Sequence, residues 1–219
     1  MELLQKDVPQ VGHRNKLIAS IKTTAINRYN ASNRLARQGR FTFGISTIFS
    51  LGLIFIPLMQ LAKAPLLLSG DILSAFQIFL AVAILVYSII IGTARYQIRS
   101  EQLNDCGDKL KSLIRDLRSQ DSEEPDEISL KEHQRRYESI IADVENHERR
   151  DYILTILRTP DLFSLTGAGR AYHWTKFCFS ACISYLPSIA LVAVELFLIT
   201  DMFGITKIFT PYLTSASSI

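Results

Sequence analysis

Two uncharged apolar runs, residues 41–62 and 72–94, lie nine residues apart and constrain this chain more than anything else in it. Each exceeds 20 residues. At about 1.5 Å of rise per residue, a helix of that length spans roughly 30 Å of hydrocarbon. The connection 63–71 carries Pro65 as a breaker and Ser69 and Gly70 as turn residues. The pattern predicts a transmembrane helical hairpin, and the rest of the chain is placed relative to that membrane.

Charge distribution sets the expected orientation. Of 24 Lys and Arg, eight precede the first run, fourteen lie between Arg95 and Lys176, and only Lys63 and Lys207 remain. Basic residues near span ends mark the cytoplasmic side. The N-terminus and the central segment are therefore expected in the cytoplasm, at the inner membrane of the cell. The net charge of +3 follows from this bias and gives no reason to expect a nucleic-acid partner. Forty mostly polar residues before the first run do not read as a cleavable signal, so that run is expected to act as an uncleaved anchor.

Residues 1–12 read as a short flexible lead with Pro9 and Gly12, and an amphipathic helix follows to residue 40. Its arginines Arg28, Arg34, Arg37 and Arg40 are candidates for anchoring on the membrane surface. After the second run the helix is expected to continue unbroken. Leu103, Cys106, Leu110, Leu113 and Leu117 keep heptad spacing, and Tyr96 extends the seam upstream. Such a seam wants a partner helix. Either the N-terminal helix of the same chain or a second copy would serve, and Tyr96, Leu103, Leu110, Leu113 and Leu117 are candidate assembly residues. Gly107 reads as lying opposite the seam.

Residues 119–127 read as an acidic solvated linker, and one helix is expected over 128–158, stopped by Thr159-Pro160. The Gly167-Ala-Gly169 pair reads as a loop, followed by an interfacial belt with Trp174 and Lys176 at headgroup depth. A third apolar run, 177–200, contains Pro187 and Glu195 and predicts a further spanning helix. Residues 201–219 then form a short external tail. The expected fold is an all-α integral membrane protein: an amphipathic helix over 1–40, a hairpin over 41–94, a cytoplasmic helical region over 95–176 and a third span.

Catalytic patterns are absent. His13, His133, His147 and His173 are far apart, and Cys106, Cys178 and Cys182 form neither a metal-ligand spacing nor a disulfide framework. No enzyme activity and no cofactor are expected. The informative polar residues lie inside the spans. Ser180, Ser184, Ser188 and Glu195 fall within an arc of roughly 80° on the third run. An intramembrane carboxylate faces protein or water rather than lipid, so this stripe is the candidate pore lining. Serines at four-residue spacing also let helices pack closely. Three spans do not easily enclose a water path, so a channel would have to be a homo-oligomer.

A basic helix with Arg28 and Arg34-Leu-Ala-Arg37 leads into a tight hairpin, and a charged helix follows at once. This layout, over about residues 16–117, resembles the SLATT proteins, two-transmembrane effectors associated with SMODS nucleotidyltransferases and SLOG domains. The resemblance implies a prokaryotic defence effector that forms a membrane pore on activation. It also implies a partner system: a cyclic-nucleotide synthase, a nucleotide-sensing domain or a reverse transcriptase. The rival expectation is a non-conducting scaffold that tethers a cytoplasmic partner.

Overall fold

The computed structural model describes residues 12–119, 127–160, 163 and 167–214. Residues 1–11 of the expected flexible lead, most of the acidic linker and the last five residues lie outside them. Among the described residues the regular elements are all helices: α1 (His13–Leu61), α2 (Gly70–Ala94), α3 (Tyr96–Ser119), α4 (Glu127–Ala142), α5 (Arg149–Arg158), α6 (Ala168–Met202) and α7 (Thr210–Thr214). They fall into two compact units. One takes the described residues of Met1–Arg37 and Tyr96–Ala181, the other those of Gln38–Arg95 and Cys182–Ile219. We refer to them as the polar and the apolar unit.

The polar unit is built on the heptad seam. Leu103, Cys106, Leu110, Leu113 and Leu117 are all buried. Cys106, Leu110, Leu113 and Leu117 pack with Ile21 and Ala25 of α1 and with Tyr137, Ile140 and Ile141 of α4. Leu103 closes against Ala31 and Leu35, with Tyr96 half-buried at the edge. The seam thus finds its partner helices within the same chain. Leu103, Leu110, Leu113 and Leu117, at 0–3% exposure, are taken up by these helices, the in-chain one of the two arrangements the heptad spacing allows.

Gly107 also lies on the buried face rather than opposite it. The Tyr29 ring of α1 sits where a Cβ would go, 2.7 Å from the nearest ring carbon. Burial, then a 2.7 Å hydrogen bond from the Tyr29 hydroxyl to Asp108, push that phenol up to about 12. Alanine is worth about 1 kcal/mol more than glycine in an open helix. At Gly107 the overlap wins: Gly107→Ala is expected to lose about 1–3 kcal/mol in unfolding monitored by circular dichroism, and Tyr29→Leu in the same chain to recover most of it.

Two breaks depart from expectation. The helix after the hairpin is interrupted at Arg95, a non-glycine residue in the left-handed region (φ 45°, ψ 41°), which ends α2 and lets α3 start afresh. The expected single helix over 128–158 is α4 and α5, with residues 143–148 between them. Asp151 Oδ2 accepts the Glu148 backbone N–H at 3.0 Å, capping the new helix start. By contrast, α1 is continuous for 49 residues through Gly39, Gly44 and Pro57, and α6 runs through Pro187 for 35.

The apolar unit holds the hairpin. Leu73, Leu80 and Tyr87 recur every seven residues on α2 and pack on Ile45, Phe49 and Ile56 of α1 and on Leu198 and Met202 of α6. The Gln77 side-chain amide donates to Gln60 Oε1 at 2.9 Å, pairing two polar residues of the apolar runs. Outward, the helices expose Leu51, Ile54, Ile78, Val82, Leu85, Ile89, Ile183 and Leu186. A soluble monomer rarely shows so continuous an apolar surface. Among the described residues, three helices are long and apolar enough to cross a membrane. The fold is that of an all-helical membrane protein.

The segment after α6 is folded, not a loose tail. Asp201 is buried, and its carboxylate accepts the Thr206 hydroxyl and the backbone N–H groups of Ile208, Phe209 and Thr210. The Leu67 N–H donates to the Met202 carbonyl at 3.0 Å, and Gly204 (φ 76°) turns against the Leu67 side chain. The hairpin connection and the end of α6 are stitched into one polar cap.

Candidate functional site

In the apolar unit, Glu195 is 1% exposed, and neither carboxyl oxygen has a hydrogen-bond partner among the described residues. The reason it fits is Gly52 on α1: any Cβ there would collide with the Glu195 carboxyl. The helices approach so closely because this α1 position carries no side chain. Around the pair lies an open groove of about 470 Å³, walled by Leu51, Gly52 and Phe55 on α1 and by Leu196 and Ile199 on α6. A carboxyl in such apolar surroundings is costly to keep unless something outside the described contacts meets it.

The predicted stripe divides along its length. Ser188 receives the Tyr87 hydroxyl hydrogen and faces the hairpin, as Glu195 does. Ser184 is exposed within the same unit, and Ser180 is exposed on the part of α6 that belongs to the polar unit. The structure therefore brings Ser188 and Glu195 to the inner face of their unit and leaves Ser180 and Ser184 on a surface.

The four arginines also separate. Arg34 is buried, with Nε 3.0 Å from Asp151 Oδ1, an Nη 3.1 Å from Asp151 Oδ2 and the other Nη 2.8 Å from Glu148. Arg28 is buried and donates to the Glu145 carbonyl, while Glu145 pairs with Arg99 at 2.8 Å. Both guanidiniums are used inside the polar unit, so neither is free for lipid headgroups here, and the anchoring reading of Arg28 and Arg34 is corrected. Arg37 and Arg40 are exposed, as are Trp174 and Lys176 at the start of α6.

A polar seam between α1 and α5 completes the picture. Asn30 donates to Thr155 at 2.9 Å, Thr155 donates to Asn27, and Asn27 lies 3.3 Å from His147 Nε2. Burial first, and Arg28 second, hold the His147 pKa below its ordinary value of about 6.5, with Asp151 partly opposing them. The folded state thus keeps His147 neutral, while the unfolded chain protonates it more readily. Stability present above about pH 6.5 is lost as the pH falls toward the folded pKa. His147→Gln is expected to flatten the thermal-stability profile of the chain as the pH falls below about 6.5.

Sequence reasoning placed Glu195 but missed Gly52, whose only signal is a glycine inside an apolar run. It also missed the roles of Asp151, signalled by the Glu148-x-x-Asp151 capping pattern, and of Asp201. Among the described residues no cluster of His, Cys, Asp or Glu is disposed to hold a metal.

The profile of the SMODS and SLOG-associating 2TM effector domain family 5 matches residues 13–217, almost the whole chain. The chain belongs to that SLATT family. No curated protein matches it significantly. No solved structure does either. Membership makes this a membrane effector domain associated by name with SMODS and SLOG. The family name specifies two transmembrane segments, whereas the described residues of this SLATT chain include three helices apolar and long enough to span.

Proposed function

We propose that this SLATT chain is a non-enzymatic effector of a prokaryotic defence system, which assembles in the inner membrane and opens a pore when a partner system signals. The observation that carries the reading is Glu195, a fully buried, unpartnered carboxyl inside the apolar unit. A group so costly at that depth is retained where it comes to face water or ions. Ser188, on the same face of α6, would follow it into the conducting path. The N-terminus and the polar unit lie in the cytoplasm on this reading, consistent with the basic residues flanking the spans.

The polar unit supplies the restraint. Arg34 and Asp151 fasten α5 to α1, and α5 leads into α6. A signal that unfastens this contact would free the start of the third spanning helix. Transmission along one rigid helix from the hairpin into α3, the route the sequence suggests, is broken by the left-handed residue at Arg95. The partner is expected to be a nucleotide-signal or reverse-transcriptase system, with no direct nucleic-acid binding by this chain.

Membrane potential, followed by dye fluorescence in cells expressing the chain with its partner system, tests the reading. Rapid depolarisation that depends on the trigger and is lost on Glu195→Gln is the expected result. Unchanged potential, with membrane insertion confirmed, would overturn the pore and leave the tethering scaffold.

A further inference from the structure

Inside the apolar unit, α6 is held unevenly along its length. Its C-terminal half is gripped: Leu191, Val192, Leu198 and Met202 pack into the apolar cluster with α1 and α2, and Glu195 lies buried against Gly52. Among the described residues, none of α6 before Leu191 joins that cluster. On the same face the earlier positions open up. Ser188 is half-buried and Ser184 exposed, and Ile183 and Leu186 beside them are 53% and 65% exposed. This N-terminal part meets the hairpin through the Tyr185 ring, edge-on to Phe41 with centroids 4.6 Å apart, and through Ser188, which accepts the Tyr87 hydroxyl hydrogen.

Pro187 stands at the division. A proline has no N–H to give the carbonyl four residues back, here that of Ile183, and its ring crowds that carbonyl. Sharp bends in helices are found at such positions. In this structure α6 nevertheless runs through Pro187 unbroken. The very next residue carries the hydrogen bond to α2. Tyr87 is well placed to hold it, because its ring is buried and stands edge-on to Phe49, centroids 5.5 Å apart. We propose that α6 is hinged at Pro187 and latched by the Tyr87–Ser188 hydrogen bond, so that its N-terminal part swings from the hairpin while residues 191–202 stay packed. Hinges absorb the change in backbone angles at a few residues and leave the packed parts rigid. Here the packed part holds Glu195, and the swinging part leads back to α5. The inference rests on the reading above in one respect: it gives the freed start of α6 a place to bend. It requires no conduction.

Distances between spin labels on the full-length chain in liposomes test it. Cys106 and Cys182 are replaced by serine, and the native Cys178, exposed on α6, is labelled together with Ile90→Cys on α2. A second chain, with all three native cysteines replaced, carries Phe197→Cys and Ile78→Cys beside the packed part. Tyr87→Phe keeps the ring against Phe49 and removes the hydroxyl. A bend of about 20° over the stretch from Pro187 to Cys178, at roughly 1.5 Å per residue, moves that label by about 5 Å. In Tyr87→Phe a second population displaced by that much is expected in the first pair, with the second pair unchanged. Adding Pro187→Ala, which restores a helical N–H, should return the first pair to its parental distribution. A first pair left unchanged by Tyr87→Phe would overturn the latch. Both pairs changing together, or a change that persists with Pro187→Ala, would overturn the hinge. The pore reading fails separately: displacement without depolarisation removes conduction and keeps the hinge, whereas trigger-dependent depolarisation with the first pair unmoved does the reverse.

Discussion

Asp151→Ala is expected to destabilise the polar unit by about 3 kcal/mol, the lower end of the 3–5 kcal/mol range for breaking a buried ion pair. The lower end applies because Glu148, half-exposed, still reaches Arg34 at 2.8 Å and offsets part of the stranded charge. The loss has two sources. Arg34, with 10% of its side chain exposed, loses its bidentate partner, and the Glu148 N–H loses the acceptor that starts α5. Replacing both members of the pair, as Arg34→Met with Asp151→Leu, removes both charges together and should cost much less than Asp151→Ala alone. Chemical unfolding of the detergent-solubilised chain, followed by circular dichroism, reads both. An unchanged midpoint for Asp151→Ala would show that the pair does not hold α5. If the contact also restrains the effector, the single variant should become toxic without a trigger, and the apolar double variant should not.

The second large effect is expected at Asp201. Asp201→Ala strands three backbone N–H groups, of Ile208, Phe209 and Thr210, and the Thr206 hydroxyl at once. The cap they form is local, so the expected consequence is local opening rather than global unfolding. Lys207, exposed in the middle of that segment, is a built-in reporter. Tryptic cleavage after Lys207 should accelerate by on the order of tenfold or more. Asp201→Asn, which keeps one acceptor oxygen, should fall between the variant and the parent. Cleavage at the parental rate in Asp201→Ala would mean that the Leu67–Met202 contact and Gly204 suffice to hold the cap.

Much of this fold is legible in the residues. The apolar runs, the heptad seam and the 3.6-residue pattern before residue 40 are periodic signals, and each became a helix in the structure. The breaks are harder. Gly92, inside the apolar run, does not itself end the helix, Ala94 and Tyr96 flank Arg95 as helix-compatible neighbours, and a left-handed arginine is disfavoured by roughly 1–2 kcal/mol locally, so continuity was the natural expectation. The gap between α4 and α5 carried its signal in Glu148 and Asp151, but in a stretch rich in charge those residues also read as a solvated face. At the site, Glu195 announced itself by its chemistry, since a carboxylate inside an apolar run has few explanations. Arg34 did not. Its partner lies 117 residues away, and nothing local separates it from Arg37 or Arg40, which reach solvent instead.

The polar seam between α1 and α5 bears on how this molecule responds to temperature. Asn27, Asn30, Arg34, Asp151 and Thr155 occupy interior positions that leucine or isoleucine would ordinarily fill. Unfolding that interface hydrates amides and charges as well as hydrocarbon, and the two contributions to heat capacity have opposite signs. The polar unit should therefore have a flatter stability curve than its length implies, with its grip on α5 varying little between a cold and a warm cell.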